Sequence, residues 1–135
     1  MANLIDTSVW IDFTRSKSSR VLKNFIAPYI LDTNAFLSEP VIFEVMRHAS
    51  AAEFKPLEAM TATFPVLSTP SDLWKRATSL GRTLRDKGYV VGSIDLVIAA
   101  LASYHGAQII TFDQDFQKIA LCEKTVKVNL LKRPS

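Results

Sequence analysis

Short apolar segments alternate along this chain with longer stretches whose apolar residues recur at helical spacing. The short segments are too brief for helices and are bounded by turn-forming residues, so they predict strands at residues 3–5, 35–37, 65–69, 108–111 and 125–130. The longer stretches predict helices near residues 7–13, 19–28, 40–49, 51–64, 70–88, 93–104 and 113–120. Strands that alternate with helices in this way are typical of a parallel sheet covered on both faces.

Individual residues mark several of these boundaries. Pro28 is expected to stop the second helix, because proline lacks the N–H that continues a helix. The segment 69–72 (Thr-Pro-Ser-Asp) has the pattern of a helix start with proline in the first turn, and Gly88 and Gly106 are expected to follow helix ends. The predicted fold class is α/β: a three-layer α/β/α sandwich with a central, mainly parallel sheet, in a single domain of residues 1–135.

Composition favours a soluble globular protein. The 135 residues are 48% hydrophobic and 21% charged, which excludes collagen-like, disordered and disulfide-scaffold proteins. No apolar run approaches the roughly 18 residues of a membrane span, and the single Cys122 cannot form an internal disulfide, so we expect a cytoplasmic protein. The net charge of +3 permits a nucleic-acid partner without identifying one, because attraction to a polyanion depends on local clustering.

Four acidic residues fall where predicted strands end or predicted helices begin. Asp6 follows the first strand and Asp113 the fourth, whereas Asp95 and Glu44 lie near the starts of helices. Ligands of open parallel sheets bind beyond the carboxyl ends of the strands, so these side chains can converge on one edge. Asp95 is the most informative, because helical spacing turns it towards the apolar side of its helix, where an unpaired carboxylate is costly.

Each of these acids also has a purely structural explanation. The two strand-end acids could cap the helices that follow them, and Asp95 could complement a helix dipole beside a Ser93 cap. Glu44 could form an exposed ion pair with Arg47 or His48. The joint pattern of all four is harder to explain in this way.

A cluster of these acids would need a divalent cation. Like charges about 4 Å apart repel by roughly 4 kcal/mol at an effective dielectric of about 20, so gathered carboxylates would protonate or separate without one. A set of oxygen donors that includes no Cys or His favours Mg²⁺ or Mn²⁺ over Zn²⁺. We expect one or two such ions. Such an ion keeps waters that phosphodiester hydrolysis can use.

Four segments carry these acids in a recognisable order: residues 4–12 (LIDTSVWID), 40–47 (PVIFEVMR), 93–100 (SIDLVIAA) and 111–116 (TFDQDF). In order and spacing, over nearly the whole chain, they resemble the motifs of PIN-domain nucleases, and within them the VapC-type toxins of type II toxin–antitoxin systems. The resemblance implies an endoribonuclease that inhibits translation by cutting tRNA or rRNA and leaves a 3′-hydroxyl and a 5′-phosphate. It also implies a homodimer that is neutralised by a small DNA-binding antitoxin.

The resemblance assigns roles to residues at matching positions. It makes four acids the catalytic metal ligands: Asp6, Glu44, Asp95 and Asp113. Asp115 is a substitute for Asp113, which is favoured because it comes first after the strand. Ser8 and Thr111 would be neighbours that orient carboxylates or water.

Other charged residues are less specific. Arg82 and Arg85 share a helix face that could hold RNA phosphate, although a solvated face is the simpler explanation. Asp32 lies in a second copy of the first motif. It is too close to Glu44 in the sequence for the expected helix to fit between them, so we expect Asp32 to be a turn residue. Asp12 is expected to be structural.

Two other functions remain as alternatives. A catalytically silent PIN domain would bind RNA or protein without cutting, and a metal titration with RNA would identify it. A phosphoacceptor module of the receiver type would need an adjacent acidic pair after the first strand, whereas Asp6 stands between Ile5 and Thr7.

Overall fold

Five parallel strands form the centre of the protein, for which a computed structural model describes residues 1–135. The strands are β1 (Asn3–Ile5), β2 (Ala35–Ser38), β3 (Val66–Leu67), β4 (Gln108–Thr111) and β5 (Lys127–Leu130). Their order across the sheet is β3-β2-β1-β4-β5, and every neighbouring pair is parallel. The predicted parallel sheet is therefore confirmed.

Seven helices connect these strands. They are α1 (Thr7–Thr14), α2 (Arg20–Ile30), α3 (Glu39–His48), α4 (Ala51–Thr61), α5 (Leu73–Asp86), α6 (Ser93–His105) and α7 (Asp115–Cys122). None of them combines the length and the apolar character that a bilayer crossing requires.

The helices cover both faces of the sheet. The chain runs outward from β1 to β2 and β3, then returns past β1 to β4 and β5. Because crossovers between parallel strands are right-handed, this change of direction puts α1–α4 on one face and α5–α7 on the other. The helix contacts agree, since α1 packs on α2 and α3, and α6 packs on α5 and α7. The three-layer α/β/α sandwich is confirmed.

The hydrophobic core is centred on the two middle strands and α6. Leu4 and Ile5 of β1 and Ile109 and Ile110 of β4 are almost fully buried. In α6, every residue from 97 to 102 is also buried, because this helix is covered by the sheet on one side and by α5 on the other. The helix that carries Asp95 is thus held on two sides.

The strand order also fixes where a ligand can bind. β1 and β4 are neighbours in register, with Ile5 opposite Ile110, and the chain leaves them in opposite directions across the sheet. Such a reversal opens a crevice at the carboxyl ends of the two strands. The residues that follow Ile5 and Ile110 therefore face each other.

Some predicted boundaries are wrong. Helix α2 continues through Pro28 to Ile30, because a missing N–H so near the helix end removes one hydrogen bond while Leu31 N–H still donates to the Ala27 carbonyl. The Thr69 hydroxyl does not cap α5 but donates to Glu39 Oε2 at 2.7 Å.

Candidate metal centre

Asp6 links the end of β1 to the start of α1. It is the N-cap of α1 and is 3% exposed. Its Oδ2 accepts hydrogen bonds from the Ser8 N–H (3.3 Å), the Ser8 hydroxyl (2.9 Å) and the Thr111 hydroxyl (2.8 Å). All three of these donors use the same oxygen, Oδ2, and none of them uses Oδ1.

Burial and hydrogen bonding act on Asp6 in opposite directions. Burial raises the pKa of the Asp6 carboxyl, because a charge is poorly solvated there, while the hydrogen bonds from Thr111 and Ser8 lower it. The net pKa lies above the ordinary value. The ionised form of Asp6 therefore lacks a sufficient counter-charge within the chain.

The Thr111 hydroxyl connects the ends of β1 and β4. Besides donating to Asp6, it accepts a hydrogen bond from the Asp113 N–H at 2.9 Å. Its side chain is fully buried. Thr111 thus sets the relative position of two acids that are far apart in the sequence.

Glu44 is held by a residue of α1. The Thr7 hydroxyl donates to Glu44 Oε1 at 2.8 Å, and no ion pair joins Glu44 to Arg47 or His48. The ion-pair explanation of Glu44 is therefore wrong. Thr7 is a residue that sequence reasoning missed, and its place directly after the strand-end Asp6 is the only signal that could have indicated it.

Asp95 is half-buried in the first turn of α6, and Gly92 rather than Ser93 occupies the N-cap position. Its pKa is raised to about 7, first by burial and then by the negative charges of Asp113, Asp6, Glu44 and Asp115, in that order. All four acids therefore affect Asp95, but only Asp113 and Asp115 form with it a group whose carboxylate oxygens lie within 4.8 Å of one another; Asp6 and Glu44 are outside that group. We call these five residues the acid cluster.

Asp113 and Asp115 both approach Asp95. One carboxylate oxygen from each of the three lies within 4.8 Å of the others. Asp113 Oδ1 accepts the Asp115 N–H at 2.9 Å, and Asp115 Oδ1 pairs with Lys118 at 3.1 Å. The structure therefore brings both alternative fourth acids to the cluster.

The other predicted residues lie as follows. Ser8 and Thr111 both contact Asp6, as described above. Arg82 and Arg85 are exposed on α5. Asp32 is an exposed turn residue whose Oδ1 accepts the Asn34 N–H, outside the acid cluster.

The donor set fits a hard divalent cation. Asp6, Glu44, Asp113 and Asp115 each engage one carboxylate oxygen within the chain and retain the other. No cysteine or histidine belongs to the cluster, and carboxylate oxygens without such ligands suit Mg²⁺ or Mn²⁺. A cation would also offset the repulsion that raises the pKa of Asp95.

Comparisons with known proteins identify a family by sequence and similar folds by structure. A family model described as PIN domain matches residues 4–121. Ribonuclease VapC21 of Mycobacterium tuberculosis is 43% identical over 56 residues, which span only 40% of this chain and 41% of that protein. Ribonuclease VapC11 of the same species is 32% identical over 127 residues, which span 87% of this chain and 90% of that protein. The structure of VapBC2 from Rickettsia felis bound to a promoter DNA fragment superposes with a TM-score of 0.75 at 16% identity, over 98% of this chain and 100% of that chain.

Proposed function

The chain belongs to the PIN domain family, among the VapC ribonucleases, and on that premise we propose that it is a metal-dependent endoribonuclease toxin. The observation that carries the proposal is the approach of Asp95, Asp113 and Asp115, whose carboxylate oxygens lie within 4.8 Å of one another; burial and the neighbouring charges also raise the pKa of Asp95 to about 7. A protein that needed only a stable fold would gain from an apolar residue at this position. Acids kept together at such a cost are typical of a metal site.

Asp6, Glu44, Asp95 and Asp113 are the proposed catalytic metal ligands, with Asp115 beside them. When bound, one or two Mg²⁺ or Mn²⁺ ions would polarise the scissile phosphate and lower the pKa of an attacking water. Ser8 and Thr111 keep Oδ2 of Asp6 engaged, and Thr7 does the same for Oε1 of Glu44. The free oxygens are thereby held in fixed positions before any ligand arrives, which lowers the cost of organising the site.

The substrate and partners follow from the family. We expect cleavage of tRNA or rRNA to a 3′-hydroxyl and a 5′-phosphate, inhibition of translation, and neutralisation by a small DNA-binding antitoxin. VapBC toxin–antitoxin structures from several bacteria share the fold of this chain, which supports an antitoxin partner. Exposed Arg82 and Arg85 are proposed to bind RNA phosphate, and we expect a homodimer.

Cleavage of purified RNA tests the proposal directly. We expect the wild-type chain to cut RNA in Mg²⁺ or Mn²⁺ and to be inactive in EDTA. Asp95→Asn should lower the rate by at least about 100-fold, since it removes one of the three carboxylates whose oxygens lie within 4.8 Å of one another. Asp32→Asn is the matched control, because it changes an exposed aspartate outside the acid cluster in the same way.

Two results would refute this function. One is cutting by Asp95→Asn at the wild-type rate. The other is a wild-type chain that binds RNA and Mn²⁺ but cuts no RNA, which would identify a catalytically silent PIN domain. Circular dichroism of each variant separates loss of activity from loss of folding.

A further inference from the structure

A basic side chain from the segment that follows β5 lies over Phe112, the residue before Asp113. Leu131 N–H donates to the Thr111 carbonyl at 2.7 Å, which draws this segment over the carboxyl end of β4. Two residues later, Arg133 Nε donates to Asp12 Oδ2 at 2.7 Å. The guanidinium of Arg133 also lies over the Phe112 ring, with its Cζ 4.3 Å from the ring centroid.

These contacts hold Arg133 in one orientation without using all of its donors. The ion pair engages Nε alone, so neither terminal nitrogen has a hydrogen-bond partner in the chain. The Arg133 side chain is 52% exposed, whereas its partner Asp12 is 14% exposed. Arginine fixed in this way presents a planar pair of N–H donors, the geometry that matches a phosphate.

Two residues, Phe112 and Asp12, connect Arg133 to the part of the chain that holds the acids. Phe112 stands between Thr111, which bonds to Asp6, and Asp113, and its N–H donates to the Ser8 hydroxyl. Asp12 lies one helical turn beyond Ser8 on the same face of α1, about 6 Å further along the axis. On this geometry we expect a nucleic-acid strand that enters the acid cluster to pass within reach of Arg133.

We infer that Arg133 is a substrate-binding residue that holds an RNA phosphate next to the one being cut, an inference that rests on the proposed function. A cluster of five acids repels the RNA backbone, and a fixed cation at its edge offsets that repulsion. Asp12 and Phe112 act as positioning residues, since they orient the guanidinium and do not touch the RNA. Lys118 also lies at the cluster, where its Nζ pairs with Asp115 at 3.1 Å, but an ammonium lacks the planar donor pair of a guanidinium.

Steady-state cleavage by Arg133→Ala measures the contribution of this contact. We expect KM to rise about 5- to 10-fold, the loss of one charged hydrogen-bonding contact, with kcat within about twofold of wild type. Arg133→Lys should recover part of the affinity, since it keeps the charge without the planar donor pair. Lys127→Ala is the matched control. Lys127 is an exposed cation at the first residue of β5, so it lies at the amino ends of the strands, whereas the crevice lies at their carboxyl ends.

A purely structural role for Arg133 predicts a different pattern. Asp12→Asn keeps the guanidinium but weakens the contact that orients it, so we expect its KM to rise by less than half as much as that of Arg133→Ala. Equal increases in KM for Arg133→Ala and Asp12→Asn would overturn the inference, and so would an Arg133→Ala variant that behaves like Lys127→Ala.

Binding without cleavage separates this inference from the proposed function. The affinity of a short fluorescent RNA is measured in EDTA over a range of salt concentrations. Arg133→Ala should lower the slope of log affinity against log salt concentration by about 0.7, the value for one phosphate contact on a single strand. A wild-type chain that fails to cut RNA would refute the proposed function, while an unchanged slope in Arg133→Ala would refute the role of Arg133.

Discussion

At the scale of single residues, the hydroxyl groups around the acid cluster decide which carboxylate oxygens are free. Thr111 is the clearest case, because one hydroxyl donates to Asp6 and accepts from the Asp113 N–H. Three donors converge on Oδ2 of Asp6, and Thr7 donates to Glu44. In the absence of a ligand, these neutral hydroxyl groups already restrict the rotation of the Asp6 and Glu44 carboxylates.

Replacing Thr111 tests this role. Thr111→Val keeps the shape but removes the hydroxyl, so we expect metal affinity and cleavage rate to fall about 10- to 100-fold, as for other groups that orient metal ligands. Thr111→Ser retains the hydroxyl and should remain within a few-fold of wild type. Calorimetric titration with Mn²⁺ gives the metal affinity, and an RNA cleavage assay gives the rate. Equal losses in Thr111→Val and Thr111→Ser would mean that the hydroxyl does not position the metal ligands.

The sequence could predict the acids better than their partners. Asp6 and Asp95 follow from a strand end and from helical phase, which are local patterns. The sequence favoured Asp113 over Asp115 because it comes first after the strand, whereas both approach Asp95 in the structure. The contact between Thr7 and Glu44 spans 37 positions and depends on how α1 and α3 pack, which no local pattern records.

At the scale of elements, α6 and the turn after it carry Asp95 and Thr111 into the same crevice. Helix α6 begins beside the acid cluster with Asp95 and ends at His105, and Gly106 then adopts a left-handed conformation with φ of 63°. That turn lets β4 start directly at Gln108. Glycine is favoured there because a Cβ is strained in this conformation.

Substitution of Gly106 should therefore affect stability more than chemistry. We expect Gly106→Ala to lower the free energy of unfolding by about 1 kcal/mol, from strain at a positive φ. Gly106→Asn should lose less, because asparagine tolerates the left-handed region. Urea denaturation of both variants measures the free energy of unfolding, and an Ala variant as stable as wild type would contradict the prediction. RNA cleavage at low temperature should be retained in both variants, since Gly106 lies at the other end of α6 from Asp95.

The element boundaries that the sequence predicted wrongly have a common physical cause. Local signals at Pro28 and Thr69 describe what a short peptide would prefer. In the folded chain, packing of α2 extends the helix past Pro28, and the Thr69 hydroxyl finds Glu39, 30 positions away, instead of its own helix. Tertiary contacts of this kind override local preference because they come with burial.

At the scale of the whole molecule, the acid cluster makes stability depend on pH. Asp95 has a pKa of about 7 in the folded chain against an ordinary value of 3.8. Between these values the unfolded chain is ionised while the folded chain retains the proton, so rising pH favours unfolding. Asp6 acts in the same direction, since its pKa is also raised.

We expect the metal-free protein to become less stable as pH rises from about 4 to about 7, the interval between the unfolded and folded pKa of Asp95. In saturating Mg²⁺ the decline should largely disappear, because the ion stabilises the ionised carboxylates. Denaturant unfolding at several pH values, with EDTA or with Mg²⁺, tests this expectation. Asp95→Asn should have a flatter pH profile than wild type, and identical profiles would contradict the assignment.

The order of strands in the sheet has a consequence for how the protein is made. Asp6 depends on Thr111, which lies 105 positions later and belongs to a strand next to β1. While a ribosome is still synthesising the chain, the nascent polypeptide already carries Asp6, Glu44 and Asp95, but not the strand that completes their surroundings. We therefore expect any activity of the acid cluster to wait until residues 108–115 have emerged, and polypeptides that terminate before this point to be inert.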